Sequence, residues 1–207
     1  MRITPEQFRT ALAEIGSPGE IANFCRKSVL HGTPHVFEGR EDDFYEFRSR
    51  IAQHFNISFH EVIITGSGQL GFSPHKNTMF SLDSDIDVAL VSEKLFEEFI
   101  EIARCYQMQL RGSRRSVTEY EQRMYHEFLE YSVLGWIRPD KLPTSFQVIL
   151  AKDGWFEFFK SLSYGRSEVG NYKVNGGVFR SYRHLELYTI SGIQAVRETL
   201  TAPATKS

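Results

Sequence analysis

Apolar residues recur every three or four positions over long stretches of this chain and alternate or cluster only in short ones, the pattern of many helices around a small sheet. At the start, Thr4-Pro5-Glu6-Gln7 supplies an N-cap, a proline for the first helical position and a capping-box partner. Phe8, Leu12 and Ile15 follow at helical spacing up to Gly16. Ser17-Pro18-Gly19-Glu20 repeats the device ahead of Ile21, Phe24 and Cys25. A third helix is predicted over 41–55, with Phe44, Phe47, Ile51 and Phe55 on its inner stripe, so residues 1–56 read as a helical extension.

Two runs of β-formers, Val62 to Thr65 and Ile86 to Val91, predict strands. Ser92 is placed to cap a helix carrying Leu95, Phe96, Phe99 and Ile102. After a break at residues 111–115, a long helix is expected to run to Gly135, with Val117, Tyr120, Met124, Tyr131 and Leu134 as its stripe. Residues 136–143 read as a loop and 146–150 as a short strand, and Asp153 caps a helix holding Trp155, Phe156, Phe159 and Leu162. A strand over 172–179, interrupted at Gly176-Gly177, leads to a last helix from Ser181 with Leu185, Tyr188, Ile193, Val196 and Leu200 inward. Residues 201–207 read as a frayed polar tail. With no repeat and no low-complexity linker, the expectation is one α/β (α+β) domain over 1–200, a small mixed sheet flanked by helices.

Composition narrows the function classes. With 207 residues, 41% of them hydrophobic, the chain can bury the core of one domain. A net charge of −2 gives no global attraction to nucleic acid or an anionic membrane, so any such contact needs a local patch. No apolar stretch nears the length of a membrane span, and the start lacks a signal-peptide core; a cytoplasmic location without a membrane partner is expected. Cys25 and Cys105 belong to no paired motif, which indicates neither a disulfide framework nor a thiolate zinc site. His31 and His35 are four apart, but Gly32 and Pro34 forbid the helix that would align them.

The chemistry is concentrated between residues 60 and 92. One strand delivers Gly66-Ser67-Gly68, and the next opens with Asp85 and Asp87, which the period of two along a strand points to one face. Two carboxylates aimed at one spot repel each other unless a cation sits between them. The pair therefore argues for Mg²⁺ or Mn²⁺, beside a turn whose bare N–H groups suit phosphate. Gly66-x-Gly68-x-x-Gly71 also spells the dinucleotide-binding fingerprint, which needs a helix at the glycines and an acid ending the following strand. Neither is expected: residues 72–77, with Pro74 and Asn77, read as a loop, and the aspartates open their strand. In the plainest alternative, the aspartates cap a loop and Gly66 is only a turn.

The joint pattern of hydrophobic strand, Gly66-Ser67, spacer and Asp85-Ile86-Asp87-Val88 resembles the signature of the DNA polymerase β-like nucleotidyltransferase superfamily. Leu70-Gly71-Phe72-Ser73 and Asp83-Ser84-Asp85 look more like its oligoadenylate synthase and bacterial cyclic-oligonucleotide synthase branch. The resemblance implies a nucleotidyltransferase fold and transfer of a nucleoside monophosphate from a triphosphate such as ATP to a protein, an RNA or a nucleotide. It implies that Asp85 and Asp87 hold the Mg²⁺ or Mn²⁺, and that Gly66, Ser67 and Gly68, with Lys76 from the spacer, hold the phosphates. Arg111, Arg114 and Arg115 either grip the triphosphate or RNA, or are a solvated loop.

The superfamily usually adds a third carboxylate from a later strand, and neither 145–150 nor 172–179 contains an acid. Asp140, Asp153 and Glu186 flank these segments, and one of them is expected to prove necessary in an enzyme; Asn175 and Gln147 are weaker ligands. The competing expectation is a catalytically silent module that binds nucleotide or a partner protein. The related cyclases close their cleft with a large C-terminal helical domain, whereas about a hundred residues follow Val91 here. That size suits the small stand-alone transferases of bacterial toxin–antitoxin and defence systems.

Overall fold

The computed structural model describes residues 3–112, 116–143 and 148–201. Among them are eight α-helices, a mixed four-stranded sheet and a two-stranded hairpin, an α+β architecture. Helices α1 (Pro5–Glu14) and α2 (Pro18–Phe24) begin at their capping boxes, with Thr4 Oγ1 accepting from the Gln7 N–H at 3.2 Å and Ser17 Oγ from the Glu20 N–H at 3.4 Å. The second continues into a π-helical stretch, Cys25–Leu30. Helix α3 (Glu41–Phe55) has the predicted bounds, buries Phe47, Ile51 and Ala52, and ends on Asn56 in the left-handed region.

The strands are β1 (Val62–Thr65), the hairpin pair β2 (Phe72–Ser73) and β3 (Thr78–Met79), β4 (Asp85–Val91), β5 (Trp136–Ile137) and β6 (Lys173–Phe179). The main sheet has the order β1-β4-β6-β5; β4 is antiparallel to β1 and parallel to β6, and β5 closes the edge antiparallel to β6. The remaining helices are α4 (Gly66–Leu70), α5 (Glu93–Arg111), α6 (Glu119–Val133), α7 (Val148–Leu162) and α8 (Tyr182–Thr201). Val62 and Ile64 of β1, Ile86, Val88 and Leu90 of β4, and Val174 and Val178 of β6 form the main core with Phe47 and Ile51 of α3, Phe96 and Phe99 of α5, and Trp155 and Phe159 of α7. Each such buried side chain contributes roughly 1.5–3 kcal/mol relative to exposure. A second cluster joins Phe8, Leu12, Ile21 and Cys25 to Leu70, Phe72 and, on α8, Ile193 and Val196, so the last helix anchors the first two.

Several expectations are corrected. Strand β6 passes through Gly176-Gly177 without interruption, because the missing side chains make room for rings: a Cβ at Gly176 would lie 2.1 Å from Phe159 Cζ, and one at Gly177 2.8 Å from Trp136 Nε1. The stretch expected as loop after Gly135 contains β5, and the one expected as loop after Gly71 forms the β2–β3 hairpin around a turn with Asn77 at φ 53°. Residues 148–150 belong to α7, not a strand, and Asp153 lies inside that helix instead of capping it; a short apolar run does not distinguish the two states. Residues 146 and 147 lie outside the described residues, as do Arg114, Arg115 and the tail beyond Thr201. Arg111 ends α5, exposed.

Helix faces also differ. Helix α6 buries Tyr125 and Phe128, with Tyr125 edge-on to Tyr106 of α5 at 4.8 Å, while Tyr120 and Leu134 are exposed. On α8, Leu185, Ile193 and Val196 are buried, and Tyr188 and Leu200 are not. Among the described residues, no helix is long and apolar enough to cross a membrane.

Candidate functional site

Strand β1 delivers the chain to Gly66 at φ 66°, a left-handed conformation that glycine adopts without penalty. A single helical turn, α4, follows, and Gly71 at φ 88° ends it, its N–H donating to the Ser67 carbonyl at 2.8 Å. A Cβ at Gly66 would stand 2.8 Å from Asp87 Oδ2, closer than such atoms approach, so a side chain here would have to push that carboxylate aside as well as hold the left-handed backbone. A helix does start at the glycines, contrary to expectation. It lasts five residues, however, and β1 and β4 are antiparallel, so the parallel βαβ unit of a dinucleotide fold is not formed here.

Asp85 and Asp87 share the face of β4 opposite Ile86 and Val88, as the period of two requires. Asp85 Oδ2 accepts from Asn175 Nδ2 at 2.9 Å and pairs with Lys173 Nζ at 3.4 Å. Among the described residues, no group hydrogen-bonds the Asp87 carboxylate. Asp87 keeps access to solvent, yet the protein packed around it and then the Asp85 charge push its carboxyl up to about 6, against the pull of Lys173 and Lys76. The repulsion expected of the pair is therefore present in the fold. Lys76, exposed on the hairpin turn, acts on Asp87 through its charge, and Ser67 is half-buried at the start of α4.

The flanking acids do not complete the pair. Asp140 accepts from Arg138 at 2.8 and 3.2 Å, Glu186 from Arg26 at 3.0 Å, and Asp153 is exposed on α7. Among the described residues, no group of three or more His, Cys, Asp or Glu side chains is placed to hold a metal ion. Gln147 lies outside the described residues. Asn175, the weaker candidate, is the one that reaches: it is the register partner of Asp87, and Lys173 is that of Asp85. Lys173 was legible only as the residue two before Asn175 on the same strand face.

Aromatic side chains wall one side. Trp136 lies 4.6 Å from Tyr188 and 5.0 Å from Tyr131 between ring centroids, with the Arg138 guanidinium 5.4 Å over the Trp136 ring. Although half of Tyr188 is open to solvent, the protein packed around its phenol, and next the Asp87 charge, push the phenol up, which ties this wall electrostatically to the acidic pair. Tyr188 thus belongs to the site's edge instead of the core.

The donor set suits one hard divalent ion: two carboxylates on one strand face, with a backbone turn brought to them through the space a Cβ would fill. No family model matches the chain, and neither a curated protein nor a solved structure gives a significant match.

Proposed function

We propose that this chain has a nucleotidyltransferase fold and is a metal-dependent nucleotidyltransferase acting on a nucleoside triphosphate. The observation that carries the reading is the approach of Gly66 to Asp87, which brings a glycine-led backbone turn against a carboxylate pair. An acceptor hydroxyl oxygen bonds to the α-phosphorus while the bond from that phosphorus to the bridging oxygen breaks. Pyrophosphate leaves with the electron pair, and the acceptor's proton passes to water. Bound Mg²⁺ or Mn²⁺ supplies neutralisation of the phosphate charge. Asp85 and Asp87 hold it, the backbone of Gly66, Ser67 and Gly68 receives the β- and γ-phosphates, and Lys76 adds a positive charge from the hairpin. The acceptor is a protein, an RNA or another nucleotide, in the defence or toxin–antitoxin setting that the sequence resemblance suggests.

A second reading, a silent module that binds nucleotide or a partner protein, is favoured by one observation: Lys173 and Asn175 stand beside the aspartates where a further acid would complete a metal centre. Incubation with labelled triphosphates, Mg²⁺ or Mn²⁺ and cell extract separates the two. Label on a macromolecule or in an oligonucleotide, abolished by Asp85→Ala and Asp87→Ala, is the result expected of the enzyme. Metal-dependent nucleotide binding with no product under any condition selects the nucleotide-binding silent module, and no nucleotide binding at all overturns the enzyme and that module, leaving only the partner-protein form of the second reading.

A further inference from the structure

Across the parallel β4–β6 ladder Asp85 faces Lys173 and Asp87 faces Asn175, and both β6 side chains converge on Asp85 Oδ2, at 3.4 and 2.9 Å. Two carboxylates balance the charge of one divalent ion. A second ion in a two-metal clamp would sit roughly 4 Å from the first and needs further anionic oxygens to offset the repulsion. The neighbouring strand offers the reverse, a positive charge and a neutral amide. Relative to a centre with a carboxylate at each of those two places, the lysine and the asparagine remove negative charge just where a second cation would require it.

We propose that this site takes a single divalent ion, held by Asp85 and Asp87, and that the Lys173 ammonium stands in for the charge a second ion would bring. The inference rests on the nucleotide-binding reading of the same site. The lysine side chain is half-exposed, so its charge reaches the solvent side from which a triphosphate would enter, and its flexible stem lets it hold Asp85 and still follow a bound phosphate. Asn175, donating to the same oxygen, keeps the Asp85 carboxylate turned toward β6. A lysine paired with Asp85 only as a cross-strand surface contact would leave ion number unaffected.

Equilibrium dialysis of the whole chain against Mn²⁺ and α,β-methylene ATP, with bound metal read by electron paramagnetic resonance and bound nucleotide by absorbance, tests this without relying on turnover. The expected result is one Mn²⁺ per bound nucleotide in the wild type and two in the Lys173→Ala/Asn175→Asp double variant. Two ions per nucleotide in the wild type overturn the single-ion site while leaving the proposed function standing. Neither metal nor nucleotide bound by the wild type overturns the proposed function and this inference with it. A folded double variant that still binds one ion overturns the role given to Lys173. The wild-type ratio needs no substitution, so it decides the single-ion question even if the double variant fails to fold.

Discussion

The two faces of β4 alternate over its first four residues, before Ala89 brings the second face into the interior, and there they follow opposite physics. Ile86, Val88 and Leu90 are buried against α3, α5 and α7, so their free energy comes from leaving water. Asp85 and Asp87, one position out of phase, repel each other, and Asp87 is held in surroundings that disfavour its charge. A strand chosen for stability alone would carry neutral side chains at those positions. The first face maintains the fold at little risk to chemistry; on the second, Asp85 is held by Asn175 and Lys173, while the Asp87 carboxylate carries an electrostatic cost that no hydrogen bond among the described residues offsets.

The sharpest way to break this comparison is to substitute one residue on each face. Leu90 is fully buried and lies at the far end of the strand from α4; Leu90→Ala should cost about 2.7–5 kcal/mol in denaturant unfolding while the folded fraction still binds metal and nucleotide. Asp87→Ala should do the reverse, with stability in metal-free buffer unchanged or raised and Mn²⁺-dependent triphosphate affinity reduced about 100-fold by calorimetry, close to 2.7 kcal/mol. Loss of binding in Leu90→Ala at full folding, or normal binding in Asp87→Ala, would remove the division of labour.

Gly66 is where the two kinds of cost meet, and its replacement should affect both readouts. In Gly66→Val a branched residue must hold φ near 66°, a strain of about 1–2 kcal/mol, and its Cβ must displace Asp87 Oδ2 from 2.8 Å. Thermal unfolding should shift down and triphosphate binding should fall at least tenfold. A variant that melts like the wild type and binds normally would make the turn structural only.

How much of this division the sequence carried depends on the range of the interactions. The capping boxes at Thr4 and Ser17, the span of α3 and the shared face of Asp85 and Asp87 all follow from residues within one turn or two strand positions of each other. Strand order was not legible, since nothing local says that β6 inserts beside β4; Lys173 and Asn175 therefore could not be assigned to their partners beforehand. The glycines of β6 read as an interruption because Phe159 and Trp136, the rings that fill their space, come from distant segments. The inner face of helix α6 departs from its sequence pattern for a related reason: apolar residues occur on several of its faces, and tertiary packing, with Tyr125 against Tyr106 of α5, selects Tyr125 and Phe128.

A smaller effect tests the electrostatic half of the comparison in the metal-free protein. The folded state holds the Asp87 proton up to about pH 6, against an ordinary value of 3.8. Between those values the folded protein binds more protons than the unfolded chain, so stability falls as pH rises through the window and the full cost is present above it. Asp87→Asn removes the titration. In EDTA it should raise stability by about 1 kcal/mol at pH 8, a figure reduced for solvent screening of an exposed carboxylate, and leave it unchanged near pH 3.5. A stability difference independent of pH would show that the amide acts through packing instead of charge.

The smallest expected effect is at Ser67, which separates a phosphate contact from a turn residue. Its backbone carbonyl accepts the Gly71 N–H at 2.8 Å, and a Ser67→Ala chain keeps that bond, so unfolding should move by no more than about 0.5 kcal/mol. The hydroxyl can supply one hydrogen bond to a phosphate oxygen, about 0.5–1.5 kcal/mol, or a severalfold loss of affinity. Because the turn is assigned to the β- and γ-phosphates, that loss should be seen with a nucleoside triphosphate and be absent with the monophosphate. Equal losses for both would move Ser67 to the α-phosphate and shift the reacting phosphorus toward α4; no loss for either would leave the backbone of residues 66–68, without the hydroxyl, as the phosphate ligand of the turn.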